Sequence, residues 1–426
     1  MIIEPVKSLK GEITVPGDKS ISHRAVMLGA IAKGTTEIEN FLMGEDCLST
    51  IDCFRRLGIE IEVFGKNQVK VHGKGMYGFK EPVQTLYTGN SGTTTRLLAG
   101  LLAGQKFKCI IDGDASIRKR PMGRIIEPLN SMGANITGQG GNNFCPLVIH
   151  GRPLHGIRYT LPVASAQLKS ALLLAGLYAD GETILIEPQK SRDHSERLLN
   201  YFGANIRVDG NAIHCTPVSQ LSPQHILVPG DISSAAYFMV AALIIPDSEI
   251  IIKNVGINPT RTGIIDVLKA MGGKISIHNV RTLNNEPMAD ILVESSYLKG
   301  TVIEGPLIPR LIDEIPVIAV AAAAAEGTTL IRDAQELKVK ESNRIYTVAA
   351  ELSKAGVDIR ETEDGMIIRG GNPFKGAVFE SHGDHRIAMS MTVAALAANS
   401  ASTIYGSEAV NISFPEFFEI LKSLQE

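Results

Sequence analysis

Charged and small polar residues gather at six places along this 426-residue chain, each time just ahead of an apolar run. The first is Pro16-Gly-Asp-Lys-Ser-Ile-Ser-His-Arg-Ala, with Lys19, Ser20 and Arg24 at the start of a helix. The others are Asn90-Ser91-Gly92-Thr93 with Arg96, Ser165-Ala166-Gln167 with Lys169, Asp231 with Ser233-Ser234, Asp313-Glu314, and Asp384-His385-Arg386. Asp and Ser before an apolar run are helix-capping residues. Cations there oppose the positive end of the helix dipole, and a bound anion would relieve the conflict. Arg118-Lys119-Arg120, Arg192 and Lys338-Val-Lys-Glu-Ser-Asn-Arg344 add basic loops. Singly, each feature admits a plain structural role: a cap, a solvated basic turn, or surface ion pairing at helical spacing within Lys338–Arg344. Their recurrence at equivalent places of a repeat argues instead for anion-binding faces. The loop Thr88–Thr94 lets backbone N–H groups approach a ligand through Gly89 and Gly92, but it lacks the Gly-Lys-Ser/Thr ending of a P-loop.

The elements that must position these groups form a sixfold repeat. Apolar helices are expected at 22–32, 94–103, 166–179, 233–245, 315–325 and 386–398, rich in Ala and Leu all round and therefore buried. Alternating strands such as 183–187, 249–254 and 328–333 follow them. Amphipathic helices between them end at Gly58, Gly133, Gly203, Gly272 and Gly356, the glycine C-cap signal. The sixth amphipathic helix, 415–424, has no strand after it, so the strand at 12–15 is expected to complete that last unit. Units then divide three and three, with the chain crossing at Pro16-Gly17-Asp18 and Pro229-Gly230-Asp231, the same triplet twice. The expected architecture is α/β, two domains joined by a two-strand hinge, one of residues 1–16 plus 230–426 and one of residues 17–229. Helix starts that point alike in each domain would make facing anion-attracting surfaces. A solenoid of six units fits less well, because neither end carries a polar cap.

Bulk properties agree with a globular protein of two or three domains. Hydrophobic residues make up 44% and charged residues 20%, with a net charge of −3, which argues against polyanion binding as the main role. No secretory signal follows Met1, and the longest apolar runs fall far short of the roughly 18 residues that span a bilayer. Five scattered cysteines, with no CxxC, are expected as buried thiols in a reducing compartment, which places the chain in the cytoplasm without a zinc site.

Five segments together resemble a known family. Pro16-Gly-Asp-Lys-Ser-Ile-Ser-His-Arg-Ala, Thr88-Gly-Asn-Ser-Gly-Thr, Arg118-Lys-Arg-Pro-Met, Lys338-Val-Lys-Glu-Ser-Asn-Arg344 and Asp384-His-Arg-Ile-Ala-Met are similar to the signature segments of the 5-enolpyruvylshikimate-3-phosphate synthases, in order and over essentially the whole chain. The resemblance implies two domains of three βαβαββ units with buried helices, the inside-out α/β barrel of the enolpyruvyl transferases, closing on substrates like a jaw. It implies transfer of the enolpyruvyl group of phosphoenolpyruvate to the 5-hydroxyl of shikimate 3-phosphate with release of phosphate, toward chorismate and the aromatic amino acids. It implies no cofactor, no metal, small-molecule substrates rather than nucleic acid or membrane, and a monomer.

Carried over residue by residue, the resemblance puts Lys19, Ser20, Arg24, Ser165, Gln167, Arg192, Asp313 and Lys340 on shikimate 3-phosphate. It puts Lys19, Asn90, Gly92, Arg120, Gln167, Arg344 and Arg386 on phosphoenolpyruvate. Asp313 becomes the base on the attacking hydroxyl and Glu341 the proton donor to the enol methylene, with Lys19 assisting. Leu97 and Ile412 depart from one branch of the family, which has proline and lysine there, and point to the second bacterial branch. Some of that branch tolerate glyphosate with alanine at the position of Gly92; here the glycine is kept. Two rivals are the sister transferase acting on UDP-N-acetylglucosamine and a non-catalytic anion binder. The first carries a reactive cysteine in a loop that here, at 112–118, has none. A binder would need the cations but not both Asp313 and Glu341.

Overall fold

The computed structural model describes residues Met1–Gln425. Its core helices are Lys19–Ile31, Gly92–Ala103, Ala166–Gly176, Ile232–Ile244, Ile315–Ala324 and His385–Leu396. They are apolar on all sides and almost wholly buried; Ile315–Ala324 has no exposed residue among Ile315 to Ala323. Each Leu, Ile or Val withdrawn from water contributes about 1.5–3 kcal/mol, which makes the interior the favoured place for such segments. Five of the six start on a capping side chain. Asp18 accepts from the Ile21 N–H at 2.9 Å, Ser91 from Thr94 at 3.2 Å, Ser165 from Leu168 at 3.4 Å, Asp231 from Ser233 at 2.8 Å and Asp384 from Arg386 at 2.9 Å. The other, Ile315–Ala324, has Pro316 in its first turn, where a missing N–H costs nothing. Because Asp18 is the cap, the first helix begins at Lys19 rather than Ser22, and Lys19, Ser20 and Arg24 all stand on its first turns.

The amphipathic helices Glu45–Arg56, Gly123–Ser131, His194–Tyr201, Gly263–Ala270 and Arg344–Lys354 close in the way their glycines foretell. Gly58, Gly133, Gly203, Gly272 and Gly356 all have φ between 84° and 95°, the left-handed region that a side chain disfavours.

Each core helix is followed by a strand that heads a small sheet. In Leu86–Tyr87, Lys108–Asp112, Phe144–His150 and Asn135–Gly138, the strand before the helix pairs parallel with the strand after it, and a hairpin continues antiparallel. Two sheets exchange their first strand. Lys10–Thr14, which precedes the first core helix, pairs parallel with Glu249–Gly256, which follows the fourth. His225–Leu227, which precedes the fourth, pairs parallel with Lys33–Glu39, which follows the first. The expectation that the strand at 12–15 completes the sixth unit is therefore corrected: that strand belongs to the fourth unit's sheet. The sixth unit is completed by Ile2–Ile3, antiparallel to Ser402–Tyr405. The alternating Ile2-Ile3 dipeptide is too short to read as a strand from periodicity.

The chain forms two compact units, Met1–Pro16 with Pro229–Thr282 and Pro287–Glu426, and Gly17–Val228 with Leu283–Glu286. Each has its own apolar core, centred on three of the six helices. The sheets are separate and none closes into a barrel among the described residues; the helices lie innermost. All five cysteines are buried free thiols, and burial pushes Cys53, Cys109, Cys145 and Cys215 up to about 12. Among the described residues no helix is long and apolar enough to cross a membrane.

Candidate active site

In the unit Gly17–Val228 the first turns of three core helices carry the expected cations. Lys19 pairs with Asp46, at the start of the helix Glu45–Arg56. Arg24 is 5% exposed and spends its donors on neutral oxygens: Nε on Ser195 Oγ at 2.7 Å, Nη1 on the Ser20 carbonyl at 2.9 Å and Nη2 on Ser170 Oγ at 2.7 Å. Burial pushes this guanidinium down to about 10, and the Glu196 and Asp18 carboxylates offset that only in part. Arg192 stands close enough to lower it further. Two arginines therefore share one neighbourhood, an arrangement that favours an anion of more than one charge.

The second and third helices meet through Gln167. Its Oε1 accepts from Arg96 Nη1 at 2.6 Å and its Nε2 donates to Thr93 Oγ1 at 3.1 Å. Arg120 reaches Ser116 Oγ at 3.2 Å. Gly92 lies against both arginines: a methyl group there would sit 2.7 Å from Arg96 Nη1 and 3.2 Å from Arg120 Nη1. A side chain at this position would therefore push the two guanidiniums aside. A chain of buried groups ties this loop to the first helix, from His23 Nδ1 to Thr50 Oγ1, Thr94 Oγ1 and Ser91 Oγ, each step 2.7 Å. Burial, with Lys19 and Arg24 beside it, holds His23 well below the usual histidine range, so it stays neutral. Ser165 is taken up as a helix cap. Asn90 is half-buried on the loop and makes no side-chain hydrogen bond among the described residues.

In the other unit the expected residues form one cluster around Asp313. Asp313 Oδ1 accepts from Lys340 Nζ and Arg344 Nη1, both at 3.2 Å, and Oδ2 lies 4.0 Å from Arg386 Nη2. Arg386 Nη1 donates to the Asp313 carbonyl at 2.9 Å. Glu341 Oε2 accepts from Arg344 Nη2 at 2.6 Å. Arg344, 1% exposed, also forks onto Asp384, Nε to Oδ2 at 2.8 Å and Nη2 to Oδ1 at 3.2 Å. Burial opposes the charge of Arg344, yet Asp384 and Glu341 outweigh it and hold its pKa above the ordinary value. Arg386 is likewise raised against its burial, by Asp313, Tyr237 and Glu314. Lys340 and Arg344 thus converge on one partly buried acid.

Several participants escape sequence reasoning. Asp46 and Ser195 stand in amphipathic helices and Ser170 inside a core helix, and only the fold brings them to the cations. Asp384 is legible as a cap, but its grip on Arg344 spans 40 residues.

The family model of EPSP synthase (3-phosphoshikimate 1-carboxyvinyltransferase) matches residues 3–421. The chain belongs to the EPSP synthase family. Proteins named 3-phosphoshikimate 1-carboxyvinyltransferase are similar to it at 58% identity. The one from Thermoanaerobacter sp. (strain X514) aligns over 422 residues, 99% of either chain, and that from Geobacillus kaustophilus over 421 residues, 98% of either. Among solved structures, EPSP synthase from Acinetobacter baumannii superposes with a TM-score of 0.89 at 48% identity, covering 100% of this chain and 98% of that one. The enolpyruvyl transferase NikO from Streptomyces tendae shares the fold, with a TM-score of 0.82 at 18% identity over 99% of this chain and 96% of that one. Of the positions where this EPSP synthase family member departs from one branch, Leu97 is fully buried within the second core helix. Ile412 closes the short helical turn Ser407–Ile412.

Proposed function

We propose that this chain transfers the enolpyruvyl group of phosphoenolpyruvate to the 5-hydroxyl of shikimate 3-phosphate. The observation that carries the reading, beyond family membership, is the cluster in which Lys340, Arg344 and Arg386 converge on Asp313 with Glu341 one guanidinium away. Cations alone serve a binder; an addition across the double bond of an enol phosphate also needs two acids with different tasks. Asp313 takes the proton of the attacking hydroxyl as its oxygen bonds to C2 of phosphoenolpyruvate. Glu341, assisted by Lys19, delivers a proton to C3, which makes the tetrahedral intermediate. Elimination reverses the proton at C3, re-forms the double bond and breaks the C2–O bond, and phosphate leaves with the electron pair. No covalent bond to the protein is needed.

Arg24, Arg192, Ser20 and Ser165 bind the phosphate of shikimate 3-phosphate, Gln167 its ring, and Asp313 with Lys340 its hydroxyls. Lys19, Asn90, Gly92, Arg120, Gln167, Arg344 and Arg386 hold phosphoenolpyruvate, a multiply charged substrate that demands such a set. The four cysteine thiols held near 12 by burial favour this reading over the UDP-N-acetylglucosamine transferase, which uses a reactive cysteine. Free buried thiols also fit a monomeric enzyme of the cytoplasm. Phosphate should appear only when shikimate 3-phosphate and phosphoenolpyruvate are supplied together, as followed by a colorimetric phosphate assay. Release with UDP-N-acetylglucosamine in place of shikimate 3-phosphate, or none with the pair, would overturn the assignment.

A further inference from the structure

A buried carboxylate beside this cluster has no part in the chemistry above. Glu314 is 1% exposed and directly precedes the helix Ile315–Ala324. Its Oε1 accepts from the Ser233 hydroxyl and lies 3.7 Å from Arg261 Nη2 and 3.8 Å from Arg386 Nη1. Its Oε2 has no hydrogen-bond partner. Arg261, 2% exposed, donates to Ser233 Oγ at 2.6 Å and to Asp231 Oδ1 at 3.4 Å. A carboxylate this deep is costly to bury, and replacing such groups by apolar ones is often neutral or stabilising. Fold stability alone is a weak reason for its presence.

The geometry around Arg386 supplies a better one. Two carboxylates compete for this guanidinium. Nη1 faces Glu314 and donates to the Asp313 carbonyl, whereas Nη2 faces the Asp313 carboxylate across 4.0 Å. That distance is too long for a direct hydrogen bond. Were the pull of Glu314 removed, the attraction of Arg386 to the Asp313 carboxylate would outweigh that of the more distant Asp231, and a full ion pair would form. Such a pair would take Arg386 from an incoming anion.

We propose that Glu314, steadied by Ser233 and Arg261, is a positioning residue that keeps Arg386 from collapsing onto Asp313. It thereby leaves Arg386 open to phosphoenolpyruvate. The proposal rests on the function proposed above. Steady-state kinetics of Glu314→Gln test it, because the amide keeps the shape and an oxygen for Ser233 but loses the charge. The expected result is a KM for phosphoenolpyruvate raised about tenfold, equivalent to about 1.4 kcal/mol, with the KM for shikimate 3-phosphate within about twofold of wild type. Ser233→Ala, which loosens the carboxylate without removing it, gives the same split at about threefold and serves if Glu314→Gln does not fold. Glu314→Asp, which keeps the charge, recovers part of the loss. An active wild type whose two KM values are unmoved in the variants, or raised by one common factor, overturns the proposal alone. A wild type that makes no product overturns the functional reading, and the proposal with it.

Discussion

Two buried arginines, Arg24 in one unit and Arg344 in the other, are held by opposite means. In the unit Gly17–Val228, Arg24 is buried against two serine hydroxyls and a carbonyl, and its pKa falls to about 10. In the other unit, Arg344 is equally buried but forks onto Asp384 and also meets Glu341 and Asp313, and its pKa rises. Burial acts on both guanidiniums in the same sense; the acceptors differ. Neutral acceptors orient a guanidinium while leaving its charge for a ligand, the condition for capturing a phosphate. Carboxylate acceptors consume that charge, and in return the cations hold the acids in fixed places. The first arrangement suits binding and the second suits proton transfer. Not every cation of the first unit follows this rule: Lys19 pairs with Asp46, Lys169 with Glu187 and Glu196, and Arg118 with Asp112.

Substitutions can break this contrast. The largest effect is expected for Lys19→Ala, with turnover down about a thousandfold through the loss of a charge placed at the reacting centre. Stability falls by only ~1–3 kcal/mol, the penalty for leaving the buried Asp46 without its ion-pair partner. Near-normal turnover in a folded Lys19→Ala protein would remove Lys19 from the chemistry.

Next comes Asp384→Asn, which strips Arg344 of its main counter-charge in a site with both partners at most 1% exposed. Chemical denaturation should show a loss of about 3–5 kcal/mol. The same variant carries a pH test. Burial works against ionisation of Asp384, yet Arg344 outweighs it and holds the carboxyl below the ordinary aspartate range. A folded-state pKa below the unfolded one stabilises fully above the unfolded value of about 3.9 and is lost as pH falls through the folded value. Wild type should therefore lose stability below about pH 4 more steeply than Asp384→Asn. Parallel acid-denaturation curves would show that the Asp384–Arg344 pair contributes nothing to the folded state.

The smallest effect belongs to Ser195→Ala. Removing one neutral acceptor of Arg24 should cost about 1 kcal/mol of stability and raise the KM for shikimate 3-phosphate severalfold, with that for phosphoenolpyruvate unmoved. A Ser195→Ala loss as large as that of Asp384→Asn would erase the distinction between the two scaffolds.

Much of this organisation is local and therefore legible in the chain. The core helices announce themselves because Ala-Leu runs without a polar face have nowhere to go but inside. Their caps announce themselves because Asp18, Ser91, Ser165, Asp231 and Asp384 each satisfy an N–H within three residues. The glycines that end the amphipathic helices are fixed by a backbone angle, and Lys19, Glu341, Arg344 and Arg386 stand in segments whose order alone marks the family. Tertiary structure decided what depends on distant partners. The strand Lys10–Thr14 reads as a strand, but its neighbour is some 240 residues away and is chosen by sheet pairing rather than by periodicity. Arg344 reads as a surface cation at helical spacing, and only the packed fold turns it inward onto Asp313 and Asp384. Side-chain type and short-range spacing set which groups could bind anions or move protons. Which carboxylate each cation meets is a long-range electrostatic outcome, settled once burial has removed the water that would otherwise screen them.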